Sequence, residues 1–412
     1  MLIASGNVFA QDFDWDGSQS TDITNDANWV GNNKPTFSSQ TEVWNFDTAV
    51  SNSPSINQPN LVLGGFHFRS NSGAYSITGN QVYNVFGFDE NGTTYAVFND
   101  NANIQTISNS GNINFHGTDL SFETGDGGIH FTGSTDYTNT TRTIFTGNGN
   151  MEFSGTINVN SVRFQFSNSG QNDVRVAFNS AEELVIDGGS TTTFFQNTSV
   201  NNSGTLVTNF SVARFNSTFN SNELVIDNGA EVYISGNATH NGGIDLLCGT
   251  LLLERSNPIG NHNLNAMGGV FNLQGFNENL NSLSLSENST IDFGSSSGNN
   301  SLSFQGAGTF TTGTMLTVLN WENGDSFQVL NIGSTNAQQV RFYGDFGADG
   351  LGFYQANLNG NTLSPGNFLY ATAPDHINCV PTQVVPEPST YIFGGVLLIG
   401  SLFEFRRRRR SA

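Results

Sequence analysis

Residues Glu183-Leu184-Val185-Ile186-Asp187-Gly188-Gly189 return forty positions later as Glu223-Leu224-Val225-Ile226-Asp227-Asn228-Gly229. Forty residues hold two coils of about twenty, the period of a solenoid. Short alternating segments surround both copies. Val162, Phe164 and Phe166 fall on one side of a strand, as do Val174, Val176 and Phe178. Val232 with Ile234, Phe271 with Leu273, Leu283 with Leu285, and Ile291 with Phe293 repeat the pattern. Strict alternation means one face buried and one face wet. Clusters such as Ser167-Asn168-Ser169-Gly170 and Asn241-Gly242-Gly243 separate the runs. Asn and Gly tolerate the left-handed backbone that sharp corners need.

An antiparallel sandwich or barrel would also show short strands at regular spacing. Three features favour parallel coils: repetition over hundreds of residues, corners rich in Asn and Gly rather than Pro, and inward positions filled by Phe, Val, Leu and Ile. The expected fold is all-β, a right-handed parallel β-helix (solenoid) with N- and C-terminal caps and a short C-terminal hydrophobic helix. Coils stacked at roughly 4.8 Å would turn three hundred residues into a rod of about 70 Å. The expected order is 1–10 as a signal peptide remnant, 11–60 as a Trp-rich cap, 61–315 as β-helix repeats, 316–371 as a second cap, 372–385 as a Pro-containing linker, and 386–412 as a tail. Trp15, Trp29 and Trp44 suit the closing of an open coil, which would otherwise expose sheet edges.

Composition narrows the function classes. The chain has 412 residues and a net charge of −21. Setting aside Glu404 and the block Arg406–Arg410, its 34 acidic and 13 basic residues become 33 acids against 8 bases. That balance argues against nucleic acid or an anionic membrane surface as partner. Only 11% of residues are charged, well below the usual quarter, while 35 are Phe. This is an ordered β protein whose polar positions are filled by Asn, Ser, Thr and Gly. Cys248 and Cys379 are the only cysteines; a disulfide between them is permitted but not required.

The run Gly242-Gly243-Ile244-Asp245-Leu246-Leu247-Cys248-Gly249-Thr250-Leu251-Leu252-Leu253 is similar to the autotransporter-associated β-strand repeat. Gly268-Gly269-Val270-Phe271-Asn272-Leu273-Gln274-Gly275, running on to Leu283-Ser284-Leu285, is similar too. The resemblance covers roughly residues 240–315 and implies a β-helical passenger on a bacterial surface. Cys248 departs from the pattern, standing where such repeats often carry Gly or Asn.

The tail reads Val385-Pro386-Glu387-Pro388-Ser389-Thr390, an apolar run from Tyr391 to Phe403, then Glu404-Phe405 and Arg406, Arg407, Arg408, Arg409, Arg410. Prolines at 386 and 388 favour an extended, accessible backbone. The apolar run is shorter than the roughly twenty residues that span a bilayer comfortably, and arginines directly after it hold that end in the cytoplasm. The order of parts resembles the PEP-CTERM sorting signal. That resemblance implies recognition of Pro386, Glu387 and Pro388 by an exosortase-type membrane protease, with Arg406–Arg410 as cytoplasmic stop-transfer and only transient inner-membrane anchoring. At the other end, Val8-Phe9-Ala10 fits a signal cleavage site after Ala10.

Concentrated chemistry is sparse. Asp12-Phe13-Asp14-Trp15-Asp16-Gly17 begins like a calcium loop, but Ile23 stands where a bidentate acid belongs. His67, His116, His130, His240, His262 and His376 form no metal-ligand spacing. A β-helical polysaccharide lyase needs a base; Lys34 is the only lysine, and Arg163, Arg175, Arg214 and Arg255 are scattered. Asp187 and Asp227, two coils apart, would stand about 9.6 Å from each other, inside the range of an inverting hydrolase. Asp at a corner after a buried strand explains them more simply. No catalytic residue, metal or cofactor is expected. The expected function is an exported structural or adhesion protein of the cell surface or extracellular matrix, associated with exopolysaccharide or biofilm, with a β-helical polysaccharide lyase or glycoside hydrolase as the alternative.

Overall fold

A computed structural model describes residues 11–371, apart from 49–51, 139, 160–162, 181, 196–198, 241 and 295–298. The chain winds into a parallel β-solenoid of about 13 turns with almost no helix. At the usual strand spacing this is a stack of about 60 Å. A typical turn lays one strand on each of three faces. The first sheet runs from Gln11–Trp15 to Thr309–Phe310, the second from Ser55–Ile56 to Val340–Asp345, and the third from Leu61–Leu63 to Ala238–His240.

The register explains the forty-residue repeat. Ile186 pairs with Val207, and Val207 with Ile226, so the two copies occupy one position two coils apart. Leu184, Ile186, Leu224 and Ile226 are fully buried. At the corners that follow, Gly189 and Gly229 have φ of 78° and 74°, which only glycine adopts readily. A Cβ on Gly229 would also stand 2.8 Å from the Phe210 ring.

Parallel stacking puts like residues on like. Phe122, Phe145 and Phe166 pair in register, with ring centroids 4.8 and 5.4 Å apart. The column continues as Ile186, Val207, Ile226 and Leu246, so an aromatic core gives way to an aliphatic one. Phe164 and Phe166 are inward as the alternation predicts; Val162 lies outside the described residues. Interior corners carry amides with partners: Asn168 Nδ2 donates to Asn172 Oδ1 at 2.8 Å, and Asn172 Nδ2 to Thr192 Oγ1 at 3.1 Å.

The three early tryptophans pack together at the first coil. Trp29 lies edge-on to both Trp15 and Trp44, at 5.0 and 5.4 Å. Trp29 Nε1 donates to Ile23 O, and buried Asn28 receives the backbone N–H groups of Gln19 and Ser20. Parallel pairing already starts here, Gln11–Trp15 against Glu42–Phe46. At the other end, parallel coils continue through Leu316–Leu319 and Ser326–Val329. They stop where Leu351–Asn359 and Thr362–Tyr370 fold back antiparallel against Val340–Asp345 and Ser326–Val329. Cys248 is disulfide-bonded, and Cys379 lies outside the described residues.

The third sheet ends at Ala238–His240, and the next coil carries no strand over 254–262 before Glu278–Leu280 pairs with Ser301–Phe304. Glu278, 1% exposed, points inward there. Its carboxylate accepts from the backbone N–H groups of Gly260 (3.1 Å), Ile259 (3.4 Å) and Asn279 (3.0 Å), replacing ladder bonds that the missing strand would have supplied. Burial nevertheless pushes this carboxyl up to about 7.

Phe145→Ala removes the middle ring of a stacked column and should cost about 3–5 kcal/mol in denaturant unfolding. Glu278 keeps its proton in the folded chain over a range where the unfolded chain has lost it. Its contribution to stability therefore falls as pH rises from about 4.5 to about 7, by an amount of the order of 3 kcal/mol. His67 works in the opposite direction, since burial and the Arg69 guanidinium push it down to about 4. The measurement is accordingly a difference: wild type minus Glu278→Gln, by urea titration across pH 4–8, should slope downward.

Candidate functional site

The outer surfaces of the three sheets differ in charge. On the first sheet, Arg142 faces Asp119 at 3.6 Å and Arg163 faces Glu183 at 2.6 Å, each pair on adjacent coils. Arg69 reaches Asp12 and Asp47. On the second sheet, His130, Glu152 and Asp173 stand in one outward column. Arg175 Nε lies 3.0 Å from Glu152, its terminal nitrogen 2.7 Å from Asp173, and its guanidinium 4.1 Å above the Phe195 ring. His130 Nε2 is 3.5 Å from Glu152. Further along, Arg214 covers Tyr233 and pairs with Glu254.

This second-sheet cluster is a grouping of acids and bases that the sequence did not reveal. His130, Glu152 and Asp173 lie 22 and 21 residues apart, one coil each, so the solenoid period was the signal that could have found the column. The cluster is internally satisfied, with Arg175 held by two carboxylates and a ring. A flat strand face carries it rather than a cleft.

The third sheet is different. Among its described strands the only carboxylate is Asp136. None of the ion pairs among the described residues lies on it. Its central register position holds Asn84, Asn114, Asp136, Asn158, Asn179, Asn201 and Asn220 on seven successive coils. Asn114 Nδ2 donates to Asn84 Oδ1 at 3.0 Å, and Asn220 Nδ2 to Asn201 Oδ1 at 2.7 Å. Asn158 is exposed. A second outward column includes Asn112 beside Ser134, and Ser199 beside Thr218. At the early end, the half-exposed Phe86 ring stacks on His116 at 4.8 Å. Burial lowers the pKa of His116 and raises that of Asp136, both of which favour the neutral form.

No family model, curated protein or solved structure matches this chain.

The positions singled out in the sequence fall as follows. Asp187 and Asp227 share a register position two coils apart, each half-buried at a corner. Asp187 Oδ1 accepts from Asn209 Nδ2 at 2.6 Å, and Asp227 Oδ1 from the Asn228 N–H at 2.7 Å. Neither forms an ion pair among the described residues, so no arginine joins them. Both carboxylates serve their corners. In the 12–17 segment, Asp16 Oδ1 accepts from the Ser18 N–H and Asp12 faces Arg69. No group of three or more His, Cys, Asp or Glu among the described residues could hold a metal ion. Ala10, Pro386, Glu387, Pro388 and Arg406–Arg410 lie outside the described residues. Within those residues no helix is long and apolar enough to cross a membrane.

Proposed function

We propose that this chain is an exported structural or adhesion rod of the cell surface or extracellular matrix, associated with exopolysaccharide. In this reading an exosortase-type protease recognises Pro386-Glu387-Pro388, and a short hydrophobic helix ending in Arg406–Arg410 anchors the chain briefly in the inner membrane. Ala10 ends the export signal, and the coil is right-handed with a cap at each end. The observation that carries the reading is a long stack of coils whose outward positions are polar and largely uncharged. Such a surface can make many weak contacts at once, and their sum can be large although each is small.

A second reading has one observation in its favour. Glu152, Asp173, Arg175 and His130 supply the acids and bases that a polysaccharide-cleaving enzyme would need. Against it stands their mutual saturation on an open face.

Co-expression with an exosortase, followed by mass measurement of the C-terminus, tests the sorting claim. Wild type should lose the arginine tail, and Pro386→Ala/Pro388→Ala should retain it; a tail kept in both ends the claim. Depolymerisation assays decide between rod and enzyme. Release of reducing ends or unsaturated sugars by wild type, abolished in Glu152→Gln, would establish the enzyme instead.

A further inference from the structure

We propose that a cavity near the C-terminal end of the coils binds an organic ammonium group, carried on a small ligand or on a polymer. The proposal goes beyond the reading of the chain as an exported rod, which stands or falls without it.

The cavity forms where parallel coils give way to the antiparallel hairpin. Its walls come from the corner after Leu316–Leu319 and from the turn that joins Val340–Asp345 to Leu351–Asn359. Its volume is about 450 Å³, within the range of small-molecule sites. Trp321, Tyr343 and Phe346 line it, each partly exposed. Trp321 and Phe346 stand nearly perpendicular, with an angle of 77° and centroids 5.7 Å apart. Each is also wedged from behind, Trp321 by Phe342 at 5.7 Å and Phe346 by Tyr354 at 5.1 Å. The Phe346 ring finds room because residue 344 is Gly; a Cβ there would collide with it. The rings are therefore in place before a ligand arrives, which reduces the ordering cost of binding.

Charge selects the ligand. The polar side chains of the lining are Asn320, Glu322, Asn323 and Asp345, so the cavity has two carboxylates and, among the described residues, no base. Both acids are exposed, and neither belongs to an ion pair among the described residues. Arg341, two positions before Tyr343, is occupied elsewhere: its guanidinium lies 5.5 Å from the Phe353 ring and donates to the Tyr370 hydroxyl. Aromatic faces attract cations through the ring quadrupole, Trp most strongly. Carboxylates attract them by charge. An anion is repelled here, and a neutral ligand gains only contact and hydrogen bonds. A substituted ammonium gains from the rings and the acids together. Closing the end of the coils needs the rings but not the acids.

Two sources carry this chemistry, a quaternary headgroup and an amino sugar. Saturation-transfer difference NMR on the full-length chain, in a non-ionic detergent without amines, compares choline with its uncharged isostere 3,3-dimethylbutanol. It also compares the glucosamine trimer with its N-acetylated form. At least one charged member should bind in the millimolar range, with its neutral counterpart about fivefold weaker or more. Preference for choline identifies the quaternary source and preference for the trimer the amino sugar; both support the proposal. Glu322→Gln/Asp345→Asn keeps the shape of the cavity and removes its charge. It should weaken binding about fivefold or more with Tm unchanged. Asp126→Asn/Glu287→Gln removes two exposed charges elsewhere on the rod and should leave binding intact. Equal binding of charged and neutral members would overturn the proposal. So would unchanged affinity in the first variant, equal loss in the second, or no transfer to either charged ligand up to about 20 mM.

Discussion

In-register parallel stacking is the constraint from which the rest of this structure follows. Each side chain lies one strand spacing above an equivalent side chain, on the same face, at the same depth. Apolar residues gain from this arrangement, as the column Phe122, Phe145, Phe166 illustrates. Ionised residues do not, because identical charges about 5 Å apart repel. Several outward charges on this rod have an opposite charge one coil away, as in Arg142 with Asp119 and Arg163 with Glu183. A chain with few bases can make few such pairs. Asn, Ser and Thr tolerate self-stacking and fill the remaining positions, which accounts for a charged fraction of only 11%.

The parts of the fold that could be read in advance are those in which one residue type marks one coil position. Glu183–Gly189 and Glu223–Gly229 were legible because both copies begin a first-sheet strand and end at a corner that needs left-handed backbone. What stayed hidden depends on residues one coil apart whose types differ. His130, Glu152 and Asp173 look unrelated along the chain, and nothing near Arg175 in sequence announces Glu152 as its partner. The asparagine column was hidden by abundance, since Asn is everywhere and only register separates an outward column from a corner. Glu278 was hidden for another reason. An isolated acid in a polar stretch reads as solvated, and only the interrupted third face gives it backbone N–H groups to receive.

Functionally, the surface is divided by charge rather than focused on a cleft. The ion pairs lie on two sheets, and the described strands of the third carry one carboxylate. The group of titratable residues around Arg175 is fixed by its own pairing. A rod of this kind presents one long surface instead of one point of chemistry. That is the property a matrix or adhesive component uses.

The interruption at 254–262 has a mechanical meaning. The hydrogen bonds between parallel coils point along the rod, so a pull on its two ends loads every coil junction in series. Such a chain of links yields at its weakest member. Most junctions are held by ladders on three faces. The one beside Glu278 has ladders on two and, on the third, isolated backbone bonds together with the Glu278 carboxylate. Under tension this is where the rod parts first, and the carboxylate that closes the gap is held most weakly when it must carry its charge in the core. Acidity would therefore act on this rod as a tightening of one joint, leaving the coils on either side as they were.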